Sequence, residues 1–129
     1  MVAPVSTARQ VITSTSNGGF TPTTWGPGLW RLMHLAALVY PVRPTEADRR
    51  ATKSFFLSLQ FVIPCWGCRQ GYIDLLHGKV PLTDAALRSR DALFRWTVAL
   101  HNAVNAKLGK STSRTAAQWA NFYEKMRSG

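Results

Sequence analysis

Apolar residues recur three or four apart through most of this chain, which is the spacing of one helical face, and no stretch alternates as a half-buried strand would. The repeat becomes regular after residue 23. A first helix is expected to begin near Trp25-Gly26-Pro27, with Pro27 in the opening position, where a missing N–H costs nothing. Its stripe would be Leu29, Leu32, Ala36 and Val39, and Pro41 and Pro44 would stop it. Thr45 and Asp48 have the spacing of a capping box, with Asp for the usual Glu, so a second helix should start there. It would bury Ala51, Phe55, Leu59 and Val62 and end at Pro64. A third, short helix should run from the cysteines to His77, with Gly78 as its C-terminal cap. Ser89 is placed to cap a longer fourth helix that turns Leu93, Trp96, Leu100, Val104 and Leu108 to a core and ends at Gly109. A last helix, from about Arg114 to Met126, carries Trp119, Phe122 and Met126. Four or five helices with short links make an all-α bundle.

Composition narrows the class. The chain has 129 residues, 46% of them hydrophobic and 17% charged, which suits one globular domain with a real core. Residues 1–23 are rich in Ser, Thr and Gly and read as a flexible arm, leaving 24–129 as the domain. No apolar run approaches the roughly 20 residues of a membrane span, and the N-terminus lacks the apolar stretch of a signal peptide. No acidic residue precedes Glu46, a faint transit-peptide trait, but Arg9 is the only basic residue before Arg31. The net charge of +10 makes nucleic acid, acidic proteins or an anionic cofactor natural partners. The basic residues are scattered, however, and a scattered excess serves solubility equally well.

The chemistry concentrates in "IPCWGC", residues 63–68, which holds both cysteines of the chain. Zinc would need four ligands. The histidines, His34, His77 and His101, lack the spacing of a finger, so zinc would require a site shared between two chains. A structural disulfide here would close almost the shortest loop available and gain little. Unlinked buried thiols fit poorly with the flanking Pro and Gly. In a redox pair, Cys65 would sit at a helix N-terminus, where the dipole stabilises thiolate, with Arg69 one turn on. A thioredoxin-like domain is disfavoured because that fold needs a βαβ pattern. The motif alone leaves these readings open.

A second cluster lies in "ALHNAVNAKLGK", residues 99–110. His101 and Asn105 share a helical face, with Asn102 beside them and Lys107 and Lys110 at the helix end. This is either a solvated face with a good C-terminal cap or a ligand wall. On the first helix, Trp30 and His34 are also four apart.

The pieces "WGPGLWRLMHLAALVYP", "PCWGC" and "HNAVNAKLGK", in this order and spacing, resemble the Erv/ALR flavin-dependent sulfhydryl oxidases over roughly residues 25–125. The resemblance implies a four-helix bundle with a short additional C-terminal helix and FAD at one end. It implies a thiol oxidase that carries electrons from dithiols through Cys65 and Cys68 to FAD and then to oxygen, giving hydrogen peroxide. Cys68 would lie beside the flavin and Cys65 would meet the substrate. Gly26, Trp30, His34 and Tyr40 would lie on the flavin side. His101, Asn102, Asn105, Lys107 and Lys110 would bind adenine, ribose and pyrophosphate, and Trp119 would match an aromatic near adenine. No metal is expected.

Family members often add a second cysteine pair on an arm, a further structural disulfide or bonds between subunits. With only Cys65 and Cys68 none of these can form within one chain. The reductant would then be a dithiol protein, such as a small C-x-x-C carrier, that reaches the core pair directly. The family's proline after the last motif lysine is Ser111 here. A homodimer is expected by resemblance, and such a stripped core resembles the enzymes of large DNA viruses. The scarcity of cysteine favours an intracellular setting, host cytoplasm or virion for a viral member, over the mitochondrial intermembrane space. The main alternative is a basic helical module that binds nucleic acid without flavin.

Overall fold

The computed structural model describes residues 19–111 and 114–127. Residues 1–18 of the expected arm lie outside the described residues, whereas residues 19–23 belong to the domain. Among the described residues five helices follow in order: α1 (Pro22–Leu38), α2 (Glu46–Val62), α3 (Trp66–Leu76), α4 (Arg90–Lys107) and α5 (Ala116–Glu124). Among the described residues there is no strand, only a single antiparallel bridge between Gly19 and Cys65. The helix α4 is the hub: α1, α3 and α5 pack on it, and α2 packs on α3. The four longer helices form the bundle and α5 closes one side, as the pattern and the resemblance led us to expect.

Side-chain caps set the boundaries. Thr45 Oγ1 accepts the Asp48 N–H at 3.1 Å while Asp48 accepts the Thr45 N–H at 2.8 Å, so the expected capping box forms. Ser89 accepts from the Ala92 N–H and opens α4. Gly109, at φ 74°, ends it in the left-handed region that glycine tolerates best. Gly78 departs from expectation. It is not left-handed; a Cβ there would stand 2.9 Å from the Asp74 carbonyl oxygen, so it permits a close approach rather than a cap.

The start of α1 also differs. Thr21 is the N-cap and Pro22 takes the opening position, so Pro27 lies inside the helix and its missing N–H leaves the Thr23 carbonyl without that bond. The helix is apolar around much of its circumference, and the stripe one residue along from the expected one is buried. Met33, His34 and Ala37 face α4, whereas Leu32 and Val39 are exposed. In α2 the buried set is Phe56 and Leu59, continued by Ile63, while Ala51 and Val62 face outward. The stripe of α4 holds for Leu93, Trp96 and Leu100 and fades towards an exposed Leu108, and Met126 after α5 is exposed too. Fully buried Phe56 meets Trp96 edge to face at 5.1 Å. Each such aromatic contributes on the order of 2–3 kcal/mol by burial.

Candidate active site

The link between α2 and α3 delivers the cysteines. Cys65 is the N-cap of α3, and its Sγ accepts the Cys68 N–H at 3.2 Å. The two are joined as a disulfide, Cα to Cα 5.2 Å. Arg69 holds the link in place by donating from Nε to the Ile63 carbonyl at 2.6 Å, and its guanidinium lies 4.8 Å from the ring of the exposed Trp66. From the other side, the Phe20 N–H donates to the Pro64 carbonyl at 2.8 Å. That contact requires Gly19: its φ is +81°, and a Cβ would fall 2.6 Å from the Pro64 oxygen.

A cavity of about 840 Å³ opens beside the disulfide, walled by α1, α3, α4 and α5. Cys65, Gly67, Cys68 and Gly71 line it from the α3 side, Gly26 and Trp30 from α1, His101, Asn105 and Lys107 from α4. Trp30 stacks on His101, ring centroids 4.1 Å apart at 12°. Trp119 lies within 5.4 Å of His101 and stacks on Tyr123 at 18°, with the Arg114 guanidinium 4.3 Å over its ring. Arg31, Lys107, Lys110 and Arg114 bring positive charge to the rim, against the single carboxylate of Asp74. A Cβ at Gly26 would touch only Pro22 Cβ, at 3.9 Å, so protein packing does not demand glycine there.

Behind this wall lies a buried polar line. His34, 0% exposed, contacts Thr97 Oγ1 through Nδ1 at 3.0 Å and His101 Nδ1 through Nε2 at 3.0 Å. Burial, reinforced by the charge of His101, lowers the pKa of His34 to about 3. Burial, then the charges of Lys110 and Arg114, lowers that of His101 to about 4. Both imidazoles are therefore neutral at physiological pH.

Most residues singled out from sequence converge on the cavity: Gly26, Trp30, Cys65, Cys68, His101, Asn105, Lys107, Lys110 and Trp119. Three do not line it. His34 stands behind His101, and Asn102 donates to the Arg114 carbonyl at 3.3 Å. Tyr40 is buried beyond the end of α1, donating to the Leu87 carbonyl at 2.6 Å while its own carbonyl accepts from Arg90. It is a tie between loops here and not a wall of the cavity. Sequence reading missed Arg31, Gly71, Arg114 and Tyr123. Gly71 was within reach, since it follows Cys68 by three and so shares its helical face. Arg114 was not, because only the loop before α5 brings it over Trp119.

Flat aromatic and imidazole walls, cations at the rim and a disulfide in one cavity suit a molecule with planar ring systems and phosphates. FAD has those parts, and the residues present fit it. The decisive comparison concerns the whole domain: the family model described as Erv1 / Alr matches residues 27–125. The chain belongs to this family. Relatives include two viral proteins whose names propose an FAD-linked sulfhydryl oxidase. One, from Acanthamoeba polyphaga mimivirus, is 46% identical over 90 residues, covering 70% of this chain and 62% of the relative. The other, from Frog virus 3, is 35% identical over 97 residues, covering 73% and 63%. The match therefore spans less than two thirds of either relative. The solved FAD binding domain of Erv1 from Saccharomyces cerevisiae superposes with a TM-score of 0.73 at 26% identity, covering 84% of this chain and 99% of that one. This Erv1 / Alr chain thus shares the all-helical architecture of a solved member. No helix among the described residues is long and apolar enough to cross a membrane.

Proposed function

We propose that this Erv1 / Alr chain is an FAD-dependent thiol oxidase that makes disulfides in partner proteins. The observation that carries the reading is the Cys65–Cys68 disulfide set into the wall of the aromatic and cationic cavity. Trp30, His101 and Trp119 supply flat surfaces for the rings. Gly26 leaves room, Asn105 offers an amide, and Lys107, Lys110, Arg31 and Arg114 meet the pyrophosphate. When bound, FAD supplies the two-electron acceptor that the protein lacks and passes the electrons to oxygen, which leaves as hydrogen peroxide.

The protein's own part is thiol–disulfide exchange. A substrate thiolate attacks Cys65 Sγ, the Cys65–Cys68 bond breaks, and Cys68 leaves as thiolate. A second substrate thiolate then attacks the substrate sulfur of the mixed disulfide. The oxidised substrate departs and Cys65 is released. The pair has then gained two electrons. As the N-cap, Cys65 keeps the Cys68 N–H and the positive end of α3 aimed at its sulfur, which makes it a good leaving group in that second step. The thiol donor is a dithiol protein, such as a small C-x-x-C carrier, that docks at the pair without an internal relay. A second copy of the chain covers Leu32, Leu35 and Val39, exposed apolar residues on one face of α1. The resemblance to viral relatives favours work inside the host cell or virion. No observation favours the nucleic-acid alternative.

The test is Cys68→Ser in the purified protein. The variant should keep its yellow flavin spectrum and lose thiol-driven oxygen consumption. A colourless wild-type protein, or turnover that survives the substitution, sinks the reading.

A further inference from the structure

We infer that Thr97 is a positioning residue that fixes the proton order of the His34–His101 pair, so that His101 turns a bare Nε2 acceptor to the cavity. The order follows from one group that can only accept. The Phe94 carbonyl lies 2.7 Å from Thr97 Oγ1, and a contact that short between two oxygens needs the hydroxyl proton between them. Thr97 has then spent its only donor. At His34 Nδ1, 3.0 Å away, it can only accept, so Nδ1 carries hydrogen. A neutral imidazole holds one such hydrogen, which leaves His34 Nε2 a lone pair. His101 Nδ1, 3.0 Å from it, must therefore donate. The remaining nitrogen of His101, Nε2, is then an acceptor on the far side of a ring that walls the cavity. Among the described residues nothing bonds it.

The lowered pKa of His34 fits this order, since a second proton, on its Nε2, would be set against the His101 Nδ1–H. Thr97 is fully buried, 63 residues from His34 in sequence, and touches no part of the cavity itself. It acts through two rings. The ligand group that meets His101 Nε2 must be a donor, an amino or hydroxyl group, and cannot be a phosphate oxygen or a ring carbonyl. With FAD as the occupant, a clause that rests on the function proposed above, this admits the adenine amine and the sugar-chain hydroxyls and rejects the pyrophosphate.

The experiment is long-range ¹H–¹⁵N correlation NMR on histidine-labelled, flavin-loaded protein. In the wild type His34 and His101 should both carry hydrogen on Nδ1. Thr97→Val keeps the shape and removes the acceptor, so both rings should reverse to the Nε2–H form, while Thr97→Ser should leave them unchanged. FAD affinity should fall about 5- to 150-fold in Thr97→Val, the loss of one buried hydrogen bond, and recover in Thr97→Ser. Nε2–H rings in the wild type overturn the inference even if Thr97→Val fails to fold, and so does an unchanged order in a folded Thr97→Val. If the order is as stated but FAD does not bind, the positioning role stands and the functional reading fails.

Discussion

Acidification should unfold this protein through its buried histidine pair. In the unfolded chain a histidine takes up a proton near its ordinary pKa of about 6.5. In the fold, His34 resists until about 3 and His101 until about 4. Between those limits the unfolded state binds more protons than the native one, so stability must fall as pH falls and is fully present only above the unfolded value. Each pH unit below about 6.5 costs about 1.4 kcal/mol per histidine. At about pH 5 the two together cost at most about 4 kcal/mol, His101 less than its half because its ring opens on the cavity, and this is a large share of the roughly 5–15 kcal/mol that holds a domain together. The melting temperature should drop by about 10–20 °C for a domain of this size. Urea unfolding across pH 7.5 to about 5, at fixed flavin content, measures the slope. The window is selective, because Glu46 and Glu124, held low by hydrogen bonds from Arg49 and Arg127, begin to matter only at lower pH. His34→Asn should remove about half of the slope. A flat profile in the wild type, or a full slope in His34→Asn, refutes the reasoning.

Replacing Gly19 by Ala places a Cβ against the Pro64 oxygen at a positive φ, so it should lower stability by about 1–2 kcal/mol in urea and speed iodoacetamide labelling of reduced Cys65. Phe56→Ala, at a fully buried site against Trp96, should cost about 3–5 kcal/mol by the same measurement. Lys110→Ala should weaken FAD binding in fluorescence titration, and the difference from wild type should shrink as salt rises, since a rim charge is screened.

Local chemistry was legible in the sequence where one interaction decides it. Thr45 with Asp48, and Ser89, open their helices through side-chain bonds written within four residues. The same signature stands in Thr115 and Gln118, which form a second capping box one residue after the expected start at about Arg114. Pro22 and Pro27 both suit an opening helical position, and periodicity could not choose between them. Faces were harder than boundaries. In α1 either of two adjacent stripes is apolar, and the one that packs is selected by His34, whose partners Thr97 and His101 lie more than sixty residues away. No local pattern carries that information. The site was legible as three motifs because each keeps its residues on one helical face, while Arg31 and Arg114 join it only through tertiary packing.

The bridge between Gly19 and Cys65 holds the first described residue at the disulfide. Gly19 lies against the Pro64–Cys65 backbone, beside the disulfide. A group linked to Gly19 by a short flexible chain would sit near the disulfide at a local concentration in the millimolar range. A dithiol grafted there would compete with any free reductant as a matter of geometry, before affinity plays a part. On the proposed function, a bulky group attached at Gly19 would stand beside the cysteine that a substrate thiol attacks.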